Sequence, residues 1–385
     1  MIRLCSDIIN KKDINDLITW LQDLPQLTKG EQTLKFEKQF SSYLGCEHAI
    51  FCNSGSSANL LITSALIQSG RLKNNKIIVP QVAWSTTIFP AMQLGLSPIM
   101  CDCNLHNLGV DVNHLEELIT THNPAALILV HVLGFDSNIE KVKEICDHHN
   151  VIVIEDTCES LGSIVAEKHL GTFGLASSFS FYFGHHISTI EGGMVCTNDK
   201  DFADVVKMIR SHGWDRDLDT ETAQSYRDRY DVSEFDALYR FYYQGFNLRS
   251  TDLQAFIGVN QIPKIDKIAD VRERIYLDYV ETIKDDLWKP SVVQDRVSNM
   301  GYPVIVANRE EVSKELSKNN IECRPLLSGS MGLQPAWKDA YGAYVLPNAR
   351  IVNDYGMYVP NHQSLSYTDI AVICNIVNTV GQPYV

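Results

Sequence analysis

The chain has 385 residues, 45% of them hydrophobic, which is enough for one large and one smaller domain with a substantial core and too apolar for a disordered chain. Its formal net charge of −14 is spread along the sequence instead of being gathered in a tail. That balance argues against nucleic acid or an anionic membrane as partner and requires a few local cations to hold any anionic substrate.

The N-terminal stretch "MIRLCSDIINKKDINDLITWL" has no apolar core followed by a small-residue cleavage site, and no apolar run approaches the ~18 residues of a membrane span. A cytoplasmic protein is expected. Two helices should occupy the chain up to about Leu44. Short apolar strand candidates then alternate with helical segments: "HAIFCN", "KIIVP", "SPIMCD", "AALILVHV" and "VIVIED". This is the pattern of a mostly parallel sheet covered on both faces, an α/β large domain. It continues through "GGMVCTND" and a helix beginning near Asp201. After the aromatic-rich "DVSEFDALYRFYYQGFNLRS" comes a long helical pattern broken near Pro263. The last ~110 residues read as a smaller α+β domain. The ten cysteines contain no C-x-x-C pair, so buried reduced thiols are expected, with neither a disulfide framework nor a metal site.

Four stretches carry chemistry. In "CNSGSSANLL" a strand feeds a helix through Asn-Ser-Gly-Ser-Ser, so free backbone N–H groups at Gly55 and Ser56, serine hydroxyls and a positive helix end meet in a form suited to phosphate. The plainer reading is a serine-capped turn. Trp84 in "PQVAWSTTIFP" is either core or a flat lid on a planar ring. Asp156 closes the apolar strand in "VIVIEDTCESLGS", where a carboxylate is costly unless it meets a positive partner; otherwise it is an exposed strand end or a helix cap. Glu159, one turn on, is structural or substrate-facing. The fourth stretch, "SFSFYFGHHISTIEGGMVCTND", supplies Ser180, His185 and His186.

In this order the four stretches resemble the pyridoxal phosphate (PLP)-dependent sugar-nucleotide aminotransferase and dehydratase family. The resemblance runs from "TKGEQTLKFEKQFSSYLG" to "NNIECRP" and "VPNHQ". It implies the aspartate-aminotransferase-like fold (PLP fold type I), with a large PLP-binding domain at residues 1–250 and a small C-terminal domain at 251–385. It also implies cofactor contacts from Gly55, Ser56, Trp84, Asp156, Glu159, Ser180 and Asn247, with Asp156 facing the ring nitrogen.

In that family the last motif reads approximately S-F-x-x-x-K-x-x-x-x-x-E-G-G, and its lysine forms a Schiff base with the cofactor. Here the alignment places His185 on the lysine, and no lysine occurs between Lys168 and Lys200. Imidazole forms no stable Schiff base, so the cofactor, as PLP or pyridoxamine phosphate (PMP), is expected to be held without a covalent bond. A histidine can still move protons near neutral pH.

Histidine at this position, in "HHI" before "EGG", marks the 3-dehydratase branch of the family. The branch implies removal of the C3 hydroxyl from a nucleotide-linked 4-keto-6-deoxyhexose, with GDP-4-keto-6-deoxy-D-mannose as the substrate the resemblance points to. The product would be a 4-keto-3,6-dideoxy sugar for a surface glycan such as O-antigen lipopolysaccharide. Each turnover consumes the amine of PMP. Of the two routes known in the branch for restoring it, a [2Fe-2S] relay needs four cysteine ligands, and only Cys196, Cys323 and Cys374 follow His185. L-glutamate is therefore the expected co-substrate.

The resemblance further assigns His212 and Arg216 in "RSHGWDRDL" to a substrate-lining loop, where Arg216 would meet a diphosphate or the glutamate carboxylate. The alternative is a polar loop closed by Trp214. Asn247 and Arg249 lie in "GFNLRSTDLQAFIG", a segment that in the family commonly reaches the neighbouring subunit's cofactor phosphate site and so implies a homodimer with shared sites. Arg324 is assigned to substrate, and His362 is a weaker candidate. His186 competes with His185 for the role of base. Two other readings stay open: a 4-aminotransferase with histidine in the lysine's place, whose product keeps its 3-hydroxyl, and a non-catalytic protein of the PLP fold. Retention of Asp156, the Ser-Gly-Ser-Ser turn and Trp84 argues against decay.

Overall fold

The computed structural model describes residues 1–384. Seven strands form the central sheet: β1 (His48–Cys52), β2 (Lys76–Pro80), β3 (Ser97–Cys101), β4 (Ala126–Val130), β5 (Ile152–Asp156), and, after the two-residue strands β6 (Ile164–Val165) and β7 (Lys168–His169) of a separate hairpin, β8 (Ala176–Ser180) and β9 (Gly193–Thr197). Their order is β1-β9-β8-β5-β4-β2-β3. Neighbours from β8 to β3 are parallel, whereas β9 runs antiparallel to both β1 and β8. The architecture is thus α/β with a mostly parallel sheet.

Helices α2 (Glu31–Leu44), α3 (Gly55–Gln68), α4 (Ser85–Gln93), α5 (Val112–His122), α6 (Ile139–His148) and α7 (Lys200–Arg210) pack on the sheet, while α1 (Lys11–Gln22) and α8 (Thr220–Arg229) lie further out. Strand β4, "ALILV", is buried at every position, as both-face coverage demands. Strand β8, "ASSFS", is equally buried although three of its five residues are serine, and the Ser177 hydroxyl finds its acceptor inside, Oγ donating to Gly171 O at 2.6 Å. At the end of β5 the pleat sends Glu155 and Asp156 to opposite faces. Glu155 accepts from the N–H groups of Gly171, Phe173 and Gly174 at 2.8, 2.8 and 2.7 Å, which fixes the connection into β8.

The predicted break at Pro263 separates α9 (Asp252–Gln261) from α10 (Ile265–Thr282) through a 3-10 turn at Ile262–Lys264. Helix α9 packs on α2, and Trp20 of α1 stacks on Phe256 with ring centroids 4.7 Å apart. Asp252 accepts from Gly30, Gln32 and Thr33 N–H at 2.7, 2.9 and 2.9 Å, capping α2 from a distant part of the chain.

Beyond α10 a three-stranded antiparallel sheet, β10 (Gly301–Ile305), β12 (Gly356–Pro360) and β11 (Arg324–Pro325) in that spatial order, packs with α11 (Arg309–Lys318), α12 (Pro335–Tyr341), α13 (Pro347–Tyr355) and α14 (Tyr367–Val380). The N-terminal residues run beside it: Ile2 pairs with Ile321, and Leu4 N–H donates to Glu322 Oε2 at 2.9 Å. No helix among the described residues is long and apolar enough to cross a membrane.

Candidate active site

The C-terminal ends of the parallel strands are where ligands bind in open α/β sheets. There β1, β2, β5 and β8 lead into one cavity of about 600 Å³. Gly55, Ser56, Trp84, Asp156, Glu159, Ser180, His185 and Arg324 all line it.

Ser54 caps α3, its Oγ accepting from Ser57 N at 3.1 Å, which leaves the N–H groups of Gly55 and Ser56 free of intrahelical acceptors. Two glycines let the backbone close in here. A Cβ on Gly55 would lie 2.6 Å from Ser180 Cβ and 2.9 Å from Cys158 Sγ, and a Cβ on Gly193 would lie 2.2 Å from Ser54 O. The second glycine of "EGG" therefore serves the same cradle as the serine turn. Gly55→Ala is expected to destabilise the cofactor-free chain by about 1–3 kcal/mol through this overlap, read as a lowered midpoint in thermal melting, and to weaken phosphate binding at the turn.

Asp156 is buried, with Oδ2 accepting from Asn59 Nδ2 and Thr87 Oγ1, both at 2.8 Å, and Oδ1 from Cys158 N at 3.2 Å. Among the described residues no cationic side chain forms an ion pair with it. A buried carboxylate fixed by three neutral donors and open to a cavity suits a cation that arrives with a ligand, such as a protonated ring nitrogen. Trp84, at the N-cap of α4, is 56% exposed, so it is a cavity wall and not core. The cradle, the oriented Asp156 and the exposed indole fit the phosphate, nitrogen and face of PLP.

His185 stands half-buried on the opposite wall, its N–H donating to Tyr182 O at 3.0 Å and its Nδ1 buried without a partner. Burial pushes its pKa down to about 4, against the pull of the Asp156 charge and with help from the Arg272 guanidinium. Glu159, which also lines the cavity, is buried and moves the other way. Desolvation raises its pKa to about 8, although Leu133 N–H donates to Oε2 at 2.7 Å, and Asp156 adds to the rise. A neutral imidazole and a neutral carboxylic acid thus share the cavity at pH 7. His186 is buried away from the cavity, its Nε2 2.9 Å from Ser298 O. Arg324, on β11, brings a cationic side chain to the wall from the C-terminal three-stranded sheet.

Five predicted residues besides His186 lie outside this cavity. His212 adopts a left-handed backbone (φ 62°) and packs its ring on Trp214, while Arg216 lies 4.0 Å above the same indole and donates to Leu238 O. Asn247 is exposed. Arg249 pairs with Cys52 at the end of β1, near the cradle but not lining the cavity, and its Nη1 is buried without a partner. His362 Nε2 donates to Arg3 O at 3.0 Å, so its ring is committed to the backbone and outside the cavity. The sequence gives no local signal for Asn59 and Thr87 as the groups that orient Asp156, nor for Leu4, Cys5 and Tyr358 as cavity walls.

The chain is 31% identical over 361 residues to GDP-4-keto-6-deoxy-D-mannose 3-dehydratase of Escherichia coli O55:H7, covering 90% of this chain and 92% of the relative. It is 29% identical to GDP-perosamine synthase of Caulobacter vibrioides over 91% of this chain and 89% of that one. A solved structure of GDP-4-keto-6-deoxymannose-3-dehydratase with bound GDP-perosamine superposes with a TM-score of 0.89 at 28% identity, covering 98% of this chain and 100% of the other. The E. coli enzyme with bound hydrated PLP gives 0.88 at 28%, covering 98% and 99%. Together with a family model matched over residues 8–378, these findings show that the chain belongs to the PLP-dependent DegT/DnrJ/EryC1/StrS aminotransferase family.

Proposed function

We propose that this protein is a PMP-dependent 3-dehydratase acting on a nucleotide-linked 4-keto-6-deoxyhexose, with GDP-4-keto-6-deoxy-D-mannose as substrate and L-glutamate as the source of the amine. One observation carries the reading: a histidine held neutral on the cavity wall facing a buried, unpaired Asp156, in a segment with no lysine from 169 to 199. The similarity to GDP-4-keto-6-deoxy-D-mannose 3-dehydratase supports the sugar nucleotide.

When bound, PMP supplies an amine that engages the C4 ketone and a conjugated ring that takes up electrons. The chain's residues do the rest. Gly55, Ser56 and Ser180 anchor the phosphate, Trp84 covers the ring face, and Asp156 keeps the ring nitrogen protonated. His185, held neutral, removes the proton at the cofactor C4′ carbon and delivers one to the departing C3 hydroxyl. Glu159, protonated, donates a hydrogen bond into the cavity without adding a second negative charge beside Asp156. Arg324 draws in the anionic groups of substrate and glutamate.

The pH dependence of kcat/KM for the free enzyme follows from the two shifts. As pH falls through about 4, His185 gains a proton and can no longer accept one. As pH rises through about 8, Glu159 ionises against Asp156. Activity is expected to hold between these limits, and Glu159→Gln, neutral at every pH, should remove the alkaline limb while retaining the acid one.

The test of the function is to incubate the protein with PMP, L-glutamate and GDP-4-keto-6-deoxymannose and to follow the sugar nucleotide by mass spectrometry. Loss of the 3-hydroxyl with ammonia and 2-oxoglutarate accumulating together is the expected result. A retained hydroxyl with a new amine would instead support a 4-aminotransferase, the reading favoured by similarity to a perosamine synthase. The exposed side chains of Phe235, Tyr239 and Phe241, 81%, 74% and 54% accessible, precede Asn247 and Arg249 on one arm. We read this arm as a homodimer face that carries both residues to the partner's cofactor phosphate. Mixing His185→Asn with Arg249→Ala chains should then restore part of the activity that each lacks alone.

A further inference from the structure

His186 is one residue from the cavity and unused by the chemistry above, yet its setting is specific. Its Nε2 lies 2.9 Å from the Ser298 carbonyl, and a carbonyl only accepts, so Nε2 carries the hydrogen and Nδ1 is bare. Nδ1 is buried and unpartnered. An apolar side chain of similar size would fill the space without that cost, so the imidazole contributes something other than packing.

The acceptor is part of a rigid strap. The three successive carbonyls of residues 298–300 are all engaged: Ser298 O by His186, and Asn299 O and Met300 O by Nη1 of Arg272 at 3.2 and 3.1 Å. Arg272 is buried, and none of its hydrogen-bond partners is a carboxylate; Nη1 also donates to Asn361 O. Ser298 N–H donates to Ser163 Oγ at 3.0 Å, and Asn299 Nδ2 to Leu133 O at 2.7 Å. Gly134 packs so closely that a Cβ there would lie 2.3 Å from Ser298 O. Ser298 O is therefore a fixed point, while the turn preceding His186 is tied by His185 N–H to Tyr182 O.

We propose that His186 is a positioning residue for His185: by donating Nε2–H to Ser298 O it pins the 182–186 turn to the 298–300 strap and sets the direction from which His185 enters the cavity. The inference rests on His185 being the base, because a misplaced base is what its loss would create.

The test compares His186→Leu, which keeps bulk and loses the donor, with His186→Gln, whose amide N–H can reach the same carbonyl. His186→Leu is expected to lower kcat by about 10- to 100-fold with KM within about twofold, and His186→Gln to restore most of it. A second readout needs no activity: titration of the His185 resonances by NMR in the cofactor-free chain. Asp156, Arg272 and the Cys158 backbone face His185 and are untouched by the substitution; His186 itself is within electrostatic reach of His185, and His186→Gln, neutral like His186→Leu, controls for the loss of its ring. In His186→Leu the His185 titration should move up toward the ordinary value of about 6.5 as the turn swings out. An unmoved titration in folded His186→Leu, or equal loss in both variants, would overturn the proposal. So would a wild-type His186 found as the neutral Nδ1–H tautomer, with Nε2 bare, at any pH between about 5 and 8, which requires no variant at all. If His185→Asn itself proves fully active, the reading of the base fails, a different result from any of these.

Discussion

Replacing His185 with asparagine should lower kcat by about 10³-fold, in the range for loss of a general acid–base group, while leaving PMP and PLP binding nearly intact. The two effects separate because different elements supply them. The phosphate cradle at Gly55 and Ser56, the Trp84 face and Asp156 come from the ends of β1, β2 and β5, whereas His185 comes from the turn after β8. Equilibrium dialysis with PMP and single-turnover mass spectrometry of the sugar nucleotide measure the two quantities independently. Full activity in the variant would sink the assignment. His186, with its hydrogen committed to Ser298 O and its ring outside the cavity, is not placed to take over.

Asp156→Asn is expected to do the reverse. Removing one member of a buried charge pair costs about 3–5 kcal/mol, or roughly 10²- to 10⁴-fold in affinity, and that loss should fall on cofactor binding. The cofactor-free chain should be as stable as before or more so, because Asp156 there is a buried carboxylate with no cation to meet it. Thr87 can turn its hydroxyl and Asn59 can present its amide oxygen, so an asparagine at this position stays hydrogen-bonded. Titration of the PLP absorbance band, set beside melting curves with and without cofactor, checks both halves. A large drop in cofactor-free stability with unchanged affinity would show that Asp156 is structural.

Much of this was legible because it is local. Strand ends, the Ser-Gly-Ser-Ser turn and the missing lysine are written in consecutive residues, and the alternation of short apolar runs with helices implies the central sheet. What was not legible depends on partners far apart in sequence. Asn59 lies inside α3 and Thr87 inside α4, and neither motif says that both side chains converge on Asp156. Helix α2 begins at Gly30 with no capping side chain of its own, because Asp252 supplies the cap. The serine-rich strand β8 reads poorly as core since its burial depends on internal acceptors. For Asn247 and Arg249, residues of one chain do not complete the setting that the family resemblance implies.

The cavity's outer wall has a consequence for how the molecule is made. Leu4 and Cys5 stand in that wall with Arg324 and Tyr358, and Ile2 pairs with Ile321. Contacts spanning more than three hundred residues are slow to form, since the loop must close before they return any stabilisation. On a ribosome the sheet strands from 48 to 197 can assemble while the segment that completes the wall is still unmade. His185 and Asp156 would then be in place before the chamber that encloses them, and refolding should show sheet structure well ahead of cofactor capture.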